Sequence, residues 1–218
     1  MTDFARLMSD YFVKYLAGQK GSGSNTMKTY RDTFVQLLEF MDEKKHIRAD
    51  CIEVDSFSYD IINEFLEYLE KEKRVSISTR NNRLAAIRSF FKYTGYHEPK
   101  YLNISTSIRE ISKKKTEGRQ MNYLSVNAME HFLNSFDKTD HKELRCFCIV
   151  LLLYESGARV TELCNVRRYD LHLEKPYTMI LHGKGDKIRS VPLDGLVADV
   201  ISNYIQKYRV DDNDFLFF

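Results

Sequence analysis

The sequence predicts a mainly α protein with a small antiparallel β element, built as a four-helix bundle followed by a mixed α/β piece. Three observations carry this. Only three Pro and nine Gly occur in 218 residues, few enough to favour helices over a strand-and-turn architecture. Apolar residues recur at helical spacing in four segments of the first half. In the second half, two short β-rich runs flank Gly183-Lys184-Gly185.

In the first helix, Phe4, Leu7, Met8, Tyr11, Tyr15 and Leu16 share a face, and Gly18 ends it. Ser24 or Asn25 is placed to cap the second, which buries Met27, Tyr30, Phe34, Leu37, Leu38 and Met41 and fades near Lys44. Ser58 caps a third helix carrying Ile61, Ile62, Phe65, Leu66 and Leu69. The fourth starts near Ser78, carries Leu84, Ile87 and Phe91, and stops at Gly95 ahead of Pro99. Residues 1–99 form the bundle. Over 100–120 the apolar period disappears while Arg109, Lys113, Lys114, Lys115 and Arg119 accumulate, so this stretch is expected to be a basic linker, either a solvated tether or a strap tracking phosphates.

The second domain, 121–218, opens with a helix capped by Ser125. A strongly apolar helix from about Lys142 to Tyr154 follows and is expected to be the buried centre. Strands are expected at Tyr177-Thr-Met-Ile-Leu181 and Ile188-Arg-Ser-Val-Pro-Leu193, then a helix through Leu196, Val197, Val200, Ile201, Tyr204 and Ile205. The ending Phe215-Leu-Phe-Phe218 reads as an apolar strand with nothing to cover it, as in a truncated chain or an oligomer.

Composition narrows the function classes. A net charge of +2 makes no overall field, so any basic surface must arise by local clustering. None of Cys51, Cys146, Cys148 and Cys164 forms a Cys-x-x-Cys pair or meets a His at ligand spacing, so no metal and no cofactor are expected. Cys146 and Cys148 sit in an apolar run and are expected in the core. No signal peptide is recognisable and no apolar run reaches membrane length, which points to a reduced, cytoplasmic protein with no membrane partner.

The stretch that carries chemistry is Ser156-Gly-Ala-Arg159-Val-Thr-Glu162-Leu163. It delivers an Arg at the end of an apolar helix, with a Glu three positions on. An i,i+3 ion pair on a helix surface is the plain reading. A guanidinium is also the side chain best shaped to hold a phosphate through two parallel hydrogen bonds. Lys184, between two glycines at a hairpin tip, is either a solubilising turn residue or a group presented to a ligand.

Taken together, Arg159, Glu162 and Lys184 behind a four-helix domain resemble the tyrosine recombinase, or phage integrase, family over nearly the whole chain. The first domain is similar to the family's SAM-like core-binding domain, through its Thr26-x-x-x-Tyr30 helix and Ser78-Thr-Arg-Asn-Asn-Arg83. The second resembles the N-terminal half of the catalytic domain, with a first Arg box at Arg159 and a catalytic-Lys hairpin from His182 to Leu193. The resemblance implies that Arg159 holds the scissile phosphate, that Lys184 protonates the leaving 5′ oxygen, and that Glu162 orients the site.

The sequence departs from the family pattern after Lys184. It holds no His-x-x-Arg, no His beyond His182, and only Tyr204 and Tyr208 as downstream tyrosines. Tyr204 falls on the apolar spacing of the last helix, a packing position. The expectation is therefore a truncated form that binds double-stranded DNA but does not cleave it alone. The alternatives are a non-catalytic DNA-binding protein competing with a full-length recombinase, and a helical interaction protein without nucleic acid. Arg80, Asn81, Arg83 and Arg88 on the fourth helix, with Lys28 and Arg31 on the second, are the candidate DNA contacts, since Arg and Asn read guanine and adenine edges. Other recombinase protomers are expected as partners on DNA, with a monomer or weak dimer in solution.

Overall fold

The computed structural model describes residues 1–116, 118, 122–183, 185 and 187–217. The chain divides into two compact units, Met1–Arg119 and Gln120–Phe218.

In the first unit, α1 (Asp3–Asp10) is capped by Thr2 and runs directly into a π-helical segment, Tyr11–Gln19. Then come α2 (Ser24–Lys45), α3 (Tyr59–Lys71) and α4 (Ile77–His97). The Ser58 hydroxyl accepts the Ile61 N–H at 3.2 Å, the cap the sequence predicts. Two other caps lie elsewhere. Gly23 occupies the N-cap of α2, so Ser24 and Asn25 fall in its first turn. Ser76 caps α4 by accepting the Thr79 N–H at 3.2 Å, starting the helix earlier than Ser78 implies.

The expected linker is partly structured. A 3-10 turn, Pro99–Tyr101, leads into α5 (Leu102–Glu110), which packs along α4 and buries Ile108. Its polar content (Asn103, Ser105, Thr106, Ser107) hid the period from a reading of apolar residues. Gly95 does not stop α4 but lies inside it, where a Cβ would meet Ser105 Cβ and Oγ at 2.7 Å. Its missing side chain is what lets α4 and α5 approach.

An aromatic cluster holds this unit together. Phe90 is fully buried and lies edge-on to Phe4, Tyr11 and Phe34, at ring separations of 5.5, 5.4 and 5.3 Å. Each such pair contributes about 0.5–1.5 kcal/mol beyond the burial of its surface. The members come from α1, the π-helical segment, α2 and α4, so one cluster ties the ends of the sequence of helices together.

The second unit begins with α6 (Val126–Asn134) and α7 (His141–Ser156). Ser125 caps α6 and Asp140 caps α7. A short α8 (Val160–Cys164) and a 3-10 turn, Arg168–Asp170, lead into three antiparallel strands, β1 (Leu171–His172), β2 (Thr178–His182) and β3 (Ile188–Pro192), in the order β1-β2-β3. β1 escaped the sequence reading because two residues make no period. Met179 pairs with Val191 and Leu181 with Arg189; Met179 and Leu181 point into the core while Ile180 faces out. The last helix, α9 (Gly195–Tyr208), packs on α7, bringing Ile201 and Tyr204 into one core with Cys148 and Leu152.

Two expectations change here. α7 buries only Phe147, Cys148 and Leu152, leaves Ile149 and Leu151 partly exposed, and turns Cys146 to solvent. Cys146 and Cys148 lie two positions apart on a helix, and such residues do not share a face. Part of the apolar tail is also held within the unit, while Phe215 keeps 40% of its surface exposed. Leu216 is fully buried and donates its N–H to Val166 O at 2.8 Å, and Phe215 bridges Arg167, whose guanidinium lies 4.3 Å from the ring centroid. Phe218 lies outside the described residues.

Candidate functional site

α7 ends where Gly157 takes a left-handed conformation, φ 57°, and donates its N–H back to Leu153 O at 3.1 Å. The Ser156 hydroxyl accepts the Ala158 N–H at 3.2 Å and fixes the turn. Arg159 follows as the N-cap of α8, with an extended backbone.

Glu162, one turn into α8, is the organising group. Its side chain is only 3% exposed, a costly place for a carboxylate without partners. It accepts four hydrogen bonds. Arg189 Nη1 and Nη2 donate at 3.0 and 2.7 Å, the Arg159 backbone N–H donates at 2.9 Å, and Arg159 Nη1 donates at 2.7 Å. The Arg189 guanidinium, then the Arg159 N–H and side chain, hold the Glu162 carboxyl down at about 2 against the raising effect of burial. The same pairing raises the Arg189 pKa. A surface i,i+3 pair does not account for this geometry, because the carboxylate is buried and the second cation comes from β3.

Two guanidinium groups on one carboxylate leave one net positive charge. The Arg159 side chain keeps 72% of its surface exposed, and four of the five N–H groups a guanidinium carries remain free of Glu162. A buried carboxylate thus anchors a guanidinium whose head stays exposed.

The hairpin sits on the same carboxylate. A Cβ on Gly183 would lie 3.2 Å from Glu162 Oε1 and 3.2 Å from Lys187 O, so the backbone here passes close to the carboxylate. Gly183 donates its N–H to Lys187 O at 2.7 Å, just beyond the His182–Ile188 pair. At the base of β2, His182 Nε2 lies 3.2 Å from Asp170 Oδ1, and Asp170 Oδ2 also accepts the Arg167 N–H at 2.8 Å. Lys184 and Asp186 lie outside the described residues. Arg189, which the sequence reading passed over, shares the hairpin motif with Lys184; its spacing from Gly183 was the available signal.

In the first unit the candidate DNA contacts divide. Arg80 is 5% exposed, donates to Ser112 O at 3.1 Å and lies 3.4 Å from Glu70, so its guanidinium is not presented for base reading. Asn81 binds the backbone of Lys114, and Arg83 donates to Thr29 O at 3.0 Å. Arg88 donates to the carbonyls of Arg109 and Ile111. Sequence does not reveal these partners, because α2 meets Arg83 while α5 and the chain after it fold back on Arg80, Asn81 and Arg88. Lys28 and Arg31 are exposed on α2. A cleft of about 500 Å³ nearby is lined by Lys20, Tyr30, Arg88, Ser89, Lys92 and Arg109, four cations without a carboxylate. Lys20 lies in a turn and Arg109 on α5, so sequence spacing alone does not bring them together.

Among the described residues, no group of three or more His, Cys, Asp or Glu is arranged to hold a metal ion, and no helix is long and apolar enough to cross a membrane.

The comparisons with known proteins agree with this architecture. Residues 122–218 match the phage integrase family, and residues 10–99 match the phage integrase N-terminal SAM-like domain. The chain belongs to the phage integrase family of tyrosine recombinases. A putative integrase/recombinase, y4rC, of Sinorhizobium fredii is 27% identical over 98% of this chain and 64% of its own length. Tyrosine recombinase XerC of Staphylococcus aureus is 27% identical over 93% of this chain and 64% of its own. This integrase-family chain thus spans 64% of the length of both relatives. Among solved structures, the XerH site-specific recombinase bound to palindromic difH substrate aligns with a TM-score of 0.68 at 22% identity, over 96% of this chain and 61% of that one. The Tn1549 transposon integrase in complex with transposon right end DNA gives 0.69 at 19% identity, over 100% and 71%. At these identities the two structures establish the fold.

Proposed function

We propose that this chain binds duplex DNA and grips a backbone phosphate through Arg159, as part of a site-specific recombination polypeptide. The observation that supports it best is the pairing of a buried Glu162 with two guanidinium groups, one of which remains exposed. In that geometry Arg159 donates to the non-bridging phosphate oxygens and offsets charge as a phosphorane-like transition state forms. Glu162 and Arg189 fix its direction and hold the hairpin that carries Lys184. Lys184 enters by its place in the sequence, as the acid that protonates a leaving 5′ oxygen. Lys28 and Arg31, with Lys20, Lys92 and Arg109 of the cleft, supply further backbone contacts.

We further propose that these 218 residues, as a polypeptide, do not cleave DNA alone. The two tyrosines after Lys184 are committed to packing. Tyr204 is 1% exposed and burial pushes its hydroxyl up to about 12, while Tyr208 donates its hydroxyl to His141 O. No His-x-x-Arg is present to complete the charge clamp.

A nicked duplex that traps a phosphotyrosine linkage tests this. The expected result is a salt-sensitive gel shift without a covalent product. An adduct at Tyr204 or Tyr208 contradicts the second proposal, and the absence of any shift contradicts the first.

A further inference from the structure

In sequence, Lys113, Lys114 and Lys115 are three equivalent cations in a basic linker, either a solvated tether or a strap along phosphates. In the structure they differ. Asn81 Nδ2 donates to Lys114 O at 2.8 Å, and the Lys114 N–H donates to Asn81 Oδ1 at 3.1 Å, so one amide side chain pairs both backbone groups of one residue. Just before it, Arg80 Nη1 donates to Ser112 O at 3.1 Å, and Arg88 Nη2 donates to the carbonyls of Ile111 and Arg109. The Lys114 ammonium lies 2.8 Å from Glu70 on α3, and Glu70 also faces Arg80.

Residues 112–116 have no regular secondary structure, yet side chains of α4 fix backbone groups at four of the positions from 109 to 114. Guanidinium groups donating to backbone carbonyls are strong, directional restraints. The Lys114 ammonium is paired with Glu70, with half of its side chain still exposed. Lys113 and Lys115 are exposed, and among the described residues neither forms an ion pair.

We propose that Arg80, Asn81 and Arg88 form a clasp that holds the chain leaving α5 and presents Lys113 and Lys115 as a fixed pair of contacts to the sugar-phosphate backbone of duplex DNA. This rests on the DNA-binding reading above. An ammonium is a point charge suited to phosphate and carries no sequence code, so the pair positions the protein and does not select a base. Side chains whose residue types suggest base reading thus serve the linker, and the linker serves the phosphates.

Two variants of the full chain separate the parts. Asn81→Ala leaves the aromatic core untouched, and unchanged circular dichroism verifies its fold. Limited trypsin digestion should then cut at residues 113–115 about tenfold faster than in the wild type, as expected when two hydrogen bonds restraining an opening are lost. Cleavage at the wild-type rate overturns the clasp, whether or not the protein binds DNA. Lys113→Ala/Lys115→Ala should lower the slope of log affinity against log salt by about 1.8, the release of two phosphate contacts. A wild-type slope in that variant overturns the phosphate contacts while leaving the clasp. Failure of the wild-type protein to bind any duplex overturns the DNA-binding reading itself, and the digestion still decides the clasp.

Discussion

Arg189 donates two hydrogen bonds to Glu162, 3.0 and 2.7 Å long, joining β3 to α8 across a distance of 27 residues in sequence. This pair gives the second unit a pH signature. The Glu162 carboxyl is held at about 2 in the fold against an ordinary value of 4.5, first by Arg189 and then by the Arg159 N–H. A depressed carboxylate stabilises the fold fully above its unfolded value and loses that contribution as pH falls toward the folded one. Urea midpoints of wild type and Glu162→Gln should therefore differ most at neutral pH and converge between about pH 4.5 and about pH 2. A gap that stays constant across that window contradicts the ion pair's role.

Gly95 allows α4 and α5 to touch. Replacing it by Ala improves helix propensity by about 1 kcal/mol, but the new Cβ lies 2.7 Å from Ser105 Cβ. Gly95→Ala should destabilise the first unit by a net ~1–3 kcal/mol, the usual cost of overpacking. Adding Ser105→Gly should recover part of that loss, and chemical denaturation of the single and double variants measures the coupling.

Phe90 is the common neighbour of Phe4, Tyr11 and Phe34. Phe90→Ala should cost about 3–5 kcal/mol in the unfolding of the first unit. The second unit's transition, followed by a probe on α9, should stay where it is.

The cysteines report on α7. Cys51, Cys146 and Cys164 are exposed, whereas Cys148 is buried with its thiol pushed up to about 12 by burial. A thiol reagent on the native protein should label the first three quickly and Cys148 only on unfolding. Rapid labelling at Cys148, located by peptide mapping, contradicts the packing of α7 against α9.

The sequence made the helices legible where apolar residues repeat, as in Phe34, Leu37 and Met41 of α2 or Ile62, Phe65 and Leu69 of α3. It also showed Arg159, Glu162 and the hairpin that follows. What it hid were relations between distant residues. Gly95 looks like a helix stop until Ser105 is seen against it. Arg80 and Asn81 look like readers of DNA until Ser112 and Lys114 are found bound to them. Arg189 looks like one more strand residue until its guanidinium is seen on Glu162. Local pattern encodes elements; the partners of a polar side chain depend on which elements meet.

The proposed phosphate grip of Arg159 is tested most directly by the salt dependence of duplex binding in the wild type and in Arg159→Ala. Arg159 is 72% exposed, so its loss leaves the Glu162–Arg189 pair in place. The variant should bind more weakly, and its slope of log affinity against log salt should be shallower by about 0.9, one phosphate contact. Equal affinity and equal slope for the two proteins would contradict the proposal that Arg159 holds a phosphate.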